Sequence, residues 1–246
     1  QAPDGHVDLA GTLALGRNYQ GDSKAGFAWK VGDTNYAGKL VAHSDGKQAH
    51  LELTLSAPTV AQLQLDLGED GDYAWSGKLD LPRFDPKPLL GDSSLKALAL
   101  AVQGHGDRHG GTLDGRLDLN DYQLLLQPLR AQFSHDFNTL SLQQLNLGSP
   151  QIKGSVAASG VVQLDAKPLS ARLDIHWNDL LLPQELAGQV LASHGVLKAS
   201  GNADKYHAEG DVEIGPPGKL ARLALNLDGS RQLITLHTLA LKQPQG

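Results

Sequence analysis

Cysteine and methionine are both absent from this chain of 246 residues, and aromatic residues make up only 5% of it. Without cysteine there is no disulfide framework, no thiolate nucleophile and no cysteine-based zinc site. The net charge of −6 disfavours nucleic acid as a partner, because nucleic acid is bound through basic stripes that displace counterions. No run approaches the roughly 18 apolar residues of a transmembrane helix, and no signal-peptide pattern occurs. We expect a processed chain or an internal piece of a longer, exported protein.

Leucine is the residue that the chain has in excess, with 45 Leu against 4 Ile and 11 Val. Many of these leucines alternate with polar residues, as in Leu51, Leu53 and Leu55. Alternation with period two predicts a sheet with one apolar and one wet face. Ordinary strands prefer β-branched and aromatic residues, so a leucine-dominated face has two interpretations: a surface that faces lipid, or a leucine-rich core.

Turn signals such as Gly215-Pro216-Pro217-Gly218 separate these runs. The pattern predicts an all-β chain. Helix is confined to a turn or two, in segments 86–90 and 183–191. No break divides the chain, so residues 1–246 are predicted to form one continuous β segment built from repeats.

A Gly-x-(Leu/Val)-x-(Leu/Ala) element recurs every 38 to 41 residues, starting at Gly38, Gly77, Gly115, Gly154 and Gly195. Periods near 40 residues indicate a stacked, elongated array. A second element, Leu140-x-Leu142-x-x-Leu145-x-Leu147, recurs from Ile234 to Leu241. Its two-residue gap would move half of the leucines to the wrong face. We therefore predict bulges at Gln143-Gln144 and His237-Thr238, in strands that bend around something apolar.

The sequence resembles the TamB and AsmA-like family of bacterial envelope proteins. The residues that carry the resemblance are Trp75-Ser76-Gly77-Lys78-Leu79-Asp80-Leu81, followed by Phe84-Asp85-Pro86, together with the two repeated elements. Trp177-Asn178-Asp179-Leu180 is similar to the first of these motifs but lacks its glycine.

This resemblance implies an elongated sheet, curled lengthwise like a folded shell, with an apolar concave groove. It implies a periplasmic location, with an inner-membrane anchor outside this segment. The implied partners are phospholipid acyl chains and an Omp85-type outer-membrane barrel subunit that contacts other regions. The implied functions are transport of phospholipid between the two membranes and assistance to outer-membrane protein assembly.

Eight leucines are predicted to line this groove. Each lies at the centre of a separate predicted strand, at one of the alternate positions that carry apolar residues. They are Leu53, Leu65, Leu100, Leu117, Leu142, Leu173, Leu225 and Leu236. The tryptophans Trp29, Trp75 and Trp177 have two interpretations, as strand-edge anchors, which we prefer, or as residues at a lipid interface.

Candidates for catalysis or metal binding are weak. His105 and His109 have the spacing of a helical metal pair, but they lie in a glycine-rich segment that favours a hairpin turn. Glu69, Asp70 and Asp72 lack the spacing of a calcium loop. The aspartates at wet strand positions, such as Asp114, Asp118 and Asp174, suit a solvated face better than a glycosidase pair.

No nucleophile elbow and no phosphate-binding loop occurs in the sequence. We expect no enzyme activity, no metal and no cofactor. The main hypothesis is a protein with a hydrophobic groove that conducts lipid. The alternative is a structural β-solenoid stem, as in adhesins, whose core is filled by its own side chains.

Overall fold

A computed structural model describes residues 5–14, 20–31, 34–68, 72–84, 98–119, 122–202, 204–230 and 233–242. The first eight strands are β1 Gly5–Ala14, β2 Gln20–Val31, β3 Thr34–Asp45, β4 Gln48–Ala57, β5 Ala61–Gly68, β6 Trp75–Phe84, β7 Leu98–Asp107 and β8 Gly110–Leu119. The other eight are β9 Tyr122–Phe133, β10 Thr139–Gly148, β11 Lys153–Gln163, β12 Ser170–Leu182, β13 Leu191–Asn202, β14 Tyr206–Gly215, β15 Ala221–Gly229 and β16 Ile234–Lys242.

Sheet order follows chain order from β1 to β16, and neighbouring strands pair antiparallel, as in β3 with β4 and β12 with β13. The prediction of an all-β chain, built as a sheet of alternating strands, is confirmed. The described residues include one helix, α1 Gln184–Ala187, which lies within the predicted segment 183–191. The other predicted helical turn, at 86–90, lies outside the described residues.

By their contacts the residues divide into two compact units, unit 1 over Gln1–Gln123 and unit 2 over Leu124–Gly246. Unit 1 contains β1 to β8. Unit 2 contains nearly all of β9, with β10 to β16. Within each unit a strand runs antiparallel to the strand before it, so each unit is an up-and-down meander.

The glycine repeat does not correspond to a repeating structural unit. Its glycines lie in β3, β6, β8, β11 and β13, so successive copies are three, two, three and two strands apart. Gly38 and Gly77 therefore lie on strands of opposite direction. The spacing therefore reflects a shared strand pattern within the predicted sheet of repeated strands, and the unit that repeats is the strand itself.

Both predicted bulges are present. Leu142 is opposite Gly160 and Leu145 is opposite Ala158, so β10 carries one extra residue between these pairs. In β16, Leu236 is opposite Leu227 and Thr238 is opposite Asn226, which leaves His237 as the extra residue. In each strand the bulge keeps the leucines before and after the two-residue gap on the same face of the sheet, as the sequence pattern required.

Among the residues that the structure describes, no large apolar side chain is fully buried. The buried apolar residues in the described part of the chain are three alanines, Ala61, Ala158 and Ala208. The accessible surface is 16589 Å², whereas a compact monomer of 26.1 kDa has about 10,600 Å². The described leucines of the sheet are half-buried or exposed, and none of them is fully buried.

Candidate functional site

Strand register brings the four predicted groove leucines of unit 1 to one face of its sheet. Residues directly opposite each other in an antiparallel pair point to the same face. Leu53 is opposite Leu63, which shares its side of β5 with Leu65. Leu100 is opposite Leu117 in the β7–β8 pair. The two pairs are connected through β6, where Leu79 is opposite Leu63 and Leu81 is opposite Leu100, before the register shift between Leu81 and Phe84. We call this face the apolar face of unit 1.

The other four predicted leucines share one face of unit 2. Leu142 and Leu173 are both opposite Gly160, from its two sides. Leu225 reaches the same face through the registered pairs of β14 and β13. Leu236 is opposite Leu227, which lies two residues from Leu225. We call this face the apolar face of unit 2. Its assignment as a lipid groove stays a prediction.

Side chains on the apolar faces are half-buried rather than enclosed. Leu53, Leu117 and Leu173 have intermediate exposure. At the last strand, Leu236 is 49% exposed, and at the first strand Leu9, which is opposite Ala25 on β2, is 75% exposed. Each unit therefore presents a continuous apolar surface to whatever medium lies against it.

Glycines show that these faces are crowded. A Cβ atom at Gly38 would lie 2.6 Å from Cζ of Phe27, and one at Gly195 would lie 2.6 Å from Cζ2 of Trp177. Gly26 and Gly148 lie at strand positions that face the other side of the sheet. A Cβ atom at either would meet nothing within 4 Å. Side chains converge on the apolar side at these positions and diverge on the other, which is the local geometry of a face that curves inward.

The tryptophans extend this pattern, and sequence analysis did not identify their partners. Trp75 lies over Gly111, and its ring Nε1 donates to the Asp107 carbonyl oxygen at 3.2 Å. Trp177 lies over Gly195 and donates to Oγ of Ser193 at 2.9 Å. Ser193 is buried, at 5% exposure. The sequence contains the glycines, but Gly195 is on the strand next to Trp177 and Gly111 is two strands from Trp75, so neither pairing can be predicted before the register is known.

The opposite face of unit 1, its polar face, carries a cross-strand row of histidines and aspartates. Nδ1 of His43 is 2.7 Å from Oδ1 of Asp22, and Nδ1 of His50 is 2.6 Å from Oδ1 of Asp66. His43 and His50 are directly opposite each other. Nε2 of His50 also lies 3.2 Å from Oε1 of Glu52. The hydrogen bond to Asp66, followed by that to Glu52, raises the pKa of His50 above its ordinary value of 6.5.

Unit 2 has a matching cluster on its polar face. Asp228 accepts from two histidines, at 2.8 Å from Nδ1 of His207 and 2.8 Å from Nε2 of His237. These two hydrogen bonds, with that of His207 the stronger, lower the pKa of the Asp228 carboxyl. His194 is 3.0 Å from Glu213 in the same sheet. These histidine–carboxylate contacts accompany the Arg222–Asp211 ion pair of β15 and β14, whose Nη2 and Oδ1 atoms are 3.2 Å apart.

The weak metal and catalytic candidates are not brought into one site. His105 lies in β7, opposite Thr112, whereas His109 lies in the turn that follows β7. Of the three calcium candidates, Asp72 has its Oδ1 3.4 Å from Nη2 of Arg108. The other two, at positions 69 and 70, are outside the described residues. Asp118 lies 3.4 Å from Arg116. Among the residues that the structure describes, no group of three His, Asp or Glu side chains could hold a metal ion.

Over the same residues, no helix has the length and hydropathy needed to cross a membrane. The chain matches no protein-family model, no curated protein and no solved structure.

Proposed function

We propose that this chain is a lipid-conducting protein of the TamB and AsmA-like type, whose apolar faces carry phospholipid acyl chains between the inner and outer membranes. On this proposal the protein acts in the periplasm, without catalysis. The cargo rests on leucine side chains, while the polar faces contact water. The proposal includes assistance to outer-membrane protein assembly, through a barrel subunit that contacts regions outside this segment.

The observation that carries the proposal is the uncovered leucine surface. A monomer in water rarely exposes contiguous apolar patches larger than a few hundred Å². Here leucines from seven of the eight strands share a face in unit 1, and the remaining strand, β2, contributes Ala25 and Phe27 to it. Burial of each methylene against hydrocarbon contributes about 0.8 kcal/mol. An acyl chain laid on this surface is therefore held by many small contributions and can slide along it without breaking any strong bond.

The alternative, a solenoid stem filled by its own side chains, is less well supported. A self-filled core would bury large apolar residues. In the described part of the chain the buried apolar residues are alanines. Solenoid coils also place sequential strands in parallel stacks, whereas these strands alternate in direction.

Photocrosslinking on the two faces of one strand tests the proposal. Leu117 and Asp118 are neighbours in β8, and their partners Leu100 and Ala99 show that they lie on opposite faces. A photoreactive side chain placed at Leu117 should label phospholipid, and one placed at Asp118 should not. In unit 2 the same contrast is available at Leu225 and Asn226 of β15.

The readout is the mass of lipid attached to protein purified from the cell envelope, with circular dichroism to check that each variant keeps its sheet. Equal labelling on both faces, or no labelling on either face of a folded protein, would refute the proposal. Labelling of the leucine positions by nascent outer-membrane protein instead of lipid would support the second role.

A further inference from the structure

Two phenylalanine rings are exposed at the β9–β10 turn of unit 2. Phe133 is the last residue of β9 and is 40% exposed, and Phe137, within the turn, is 54% exposed. The centroids of the two rings are 5.8 Å apart. Phe133 is opposite Leu140, which shares one side of β10 with Leu142. The rings therefore continue the apolar face of unit 2 to the end of its strands.

Phe137 has a backbone conformation that bulky residues rarely adopt. Its φ angle is 57°, in the left-handed region that glycine and asparagine occupy at lower cost. The next residue, Asn138, is of a type that suits this region, yet the phenylalanine occupies it. Backbone strain of this kind is concentrated at functional sites. Because the side chain is more than half exposed, contacts within the protein do not explain why phenylalanine stands there.

Hydrogen bonds hold the turn in this conformation. The Asp136 carboxylate accepts from Oγ of Ser134 at 2.6 Å, and this contact, followed by that from the backbone N–H of Asn138, lowers the pKa of Asp136. The N–H of Phe137 donates to the Ser134 carbonyl oxygen at 3.0 Å, and the Asn138 carbonyl oxygen accepts from the N–H of Leu164 at 2.7 Å. The turn is therefore fixed before any partner binds, which lowers the entropy cost of inserting the Phe137 ring.

The size of this aromatic patch favours a bilayer over a protein as its partner. An aromatic side chain buries about 150–250 Å² when it is enclosed, so two half-exposed rings offer roughly 200 Å². A stable protein interface needs about 800 Å² from each partner. A bilayer sets no such minimum, since each apolar side chain that enters it contributes on its own. Charge does not supply the attraction, because Asp136 is ionised and the chain has a net charge of −6.

We propose that Phe137, supported by Phe133, inserts into the interface of a phospholipid bilayer, and that acyl chains pass between the bilayer and the apolar face of unit 2 at this point. This inference rests on the proposed function, because it names the place where the same apolar face receives its cargo. Since the apolar rings drive the insertion, it should occur with zwitterionic lipid and should change little with salt concentration.

Substitution of Phe137 separates bilayer insertion from stability. Asparagine tolerates the left-handed conformation, so Phe137→Asn should keep or raise the melting temperature. Its binding to vesicles of phosphatidylcholine and phosphatidylethanolamine, measured by sedimentation, should fall by about fivefold or more. Leu186→Asn is the matched control, because Leu186 is 52% exposed in α1, at the other end of the strands. This control should bind vesicles as the parent protein does.

A fluorescent label reports insertion directly. The chain has no cysteine, so Phe137→Cys and Leu186→Cys each supply a single site for an environment-sensitive dye. The dye at position 137 should brighten when the same vesicles are added, and a nitroxide on the lipid near its head group should quench it, at low and at high salt alike. The dye at position 186 should show neither effect.

The outcomes separate this inference from the proposed function. Unchanged vesicle binding by Phe137→Asn, or a dye at position 137 that does not respond to vesicles, overturns the bilayer contact. A dye at position 137 that responds to a protein partner and not to vesicles overturns it too. If a photoreactive side chain at Leu225 still labels phospholipid, the proposed function is left in place. Loss of that labelling in a folded protein overturns the proposed function for unit 2 as well.

Discussion

At the residue scale, the leucine faces include aromatic rings that lie over glycines of the next strand. Phe27 lies on Gly38, and Trp177 lies on Gly195. A ring laid flat on a glycine shields exposed backbone and keeps neighbouring strands in register. Because the glycine has no Cβ, the ring also lies lower on the sheet, which leaves the space above it to other apolar groups.

Replacing one of these glycines should therefore cost stability. A Cβ atom at Gly195 would lie 2.6 Å from the Trp177 ring and 2.8 Å from the backbone oxygen of Asp211. We expect Gly195→Ala to lower the free energy of unfolding by about 1–3 kcal/mol, the usual cost of overpacking. Urea denaturation monitored by circular dichroism measures it.

The matched control is Gly148→Ala, at a strand glycine of the same unit where a Cβ atom meets nothing within 4 Å. This change should be neutral or stabilise the protein by up to about 1 kcal/mol, since alanine lowers the entropy of the unfolded chain. Equal losses at the two positions would show that the ring contact is not the cause.

At the element scale, the strands are connected on their polar faces by histidine–carboxylate pairs, such as His50 with Asp66 and His207 with Asp228. The pKa of His50 is raised in the folded protein by Asp66 and Glu52. A raised histidine pKa stabilises the fold below the unfolded value of about 6.5, and this contribution is lost as the pH rises through the folded pKa. His43, opposite His50, carries its own partner, Asp22.

We predict that the melting temperature falls between about pH 6 and pH 8, and that His50→Gln removes part of this fall. His135→Gln is the control, because His135 is exposed in the β9–β10 turn. The NMR titration midpoint of His50 should lie above 6.5. A midpoint at or below that value, with the same melting profile in His50→Gln as in the parent protein, would contradict the assigned contact.

Some of the strands and one of the bulges could be predicted from the sequence, and others could not. Leucine alternation identifies β4 and β5, because their apolar positions are nearly all leucine. The parity break at Gln143-Gln144 predicts a bulge that is present. In β13 the apolar parity consists of Ser193, Gly195, Leu197, Ala199 and Gly201, which gives no hydrophobic period. Rings and leucines from neighbouring strands cover the small residues of β13. The apolar residues that face this part of the sheet therefore belong to other strands, and β13 has no alternation of its own by which it could be predicted.

The candidate site was predictable only in part, for the same reason. The alternation within each strand is what selects the eight leucines, whereas their arrangement as two groups of four is set by the register between strands. The pairs of His50 with Asp66 and of Trp177 with Gly195 depend on register between strands. Register is a property of two segments together, and no single stretch of sequence contains it.

At the scale of the whole molecule, the accessible area decides between an open face and a closed core. The chain exposes 16589 Å², about half as much again as a compact monomer of its mass. Part of the apolar area that a two-layer fold would bury is still accessible, because the described leucines are half-buried or exposed. The fold is therefore stabilised mainly by strand pairing and by contacts between side chains of adjacent strands.

It follows that truncating a leucine should cost little. In a closed core, Leu→Ala costs about 2–5 kcal/mol. Leu53 is half-buried, so Leu53→Ala should lower the free energy of unfolding of delipidated protein by only about 1 kcal/mol. Urea denaturation measures the change, with Thr54→Ala, on the other face of β4, as the control. A loss above about 3 kcal/mol would support the self-filled core instead.

The identity between sheet order and chain order has a consequence for how such a chain is made and lengthened. Every strand pairs with the strand synthesised just before it, so contacts are local in sequence and folding can follow the chain from one end. Such a sheet behaves as a one-dimensional array in which each added hairpin interacts with its nearest neighbour. Gene duplication of two strands preserves both strand direction and the parity of the leucines. The reach of the protein can therefore change in hairpin-sized steps without redesign of the existing strands.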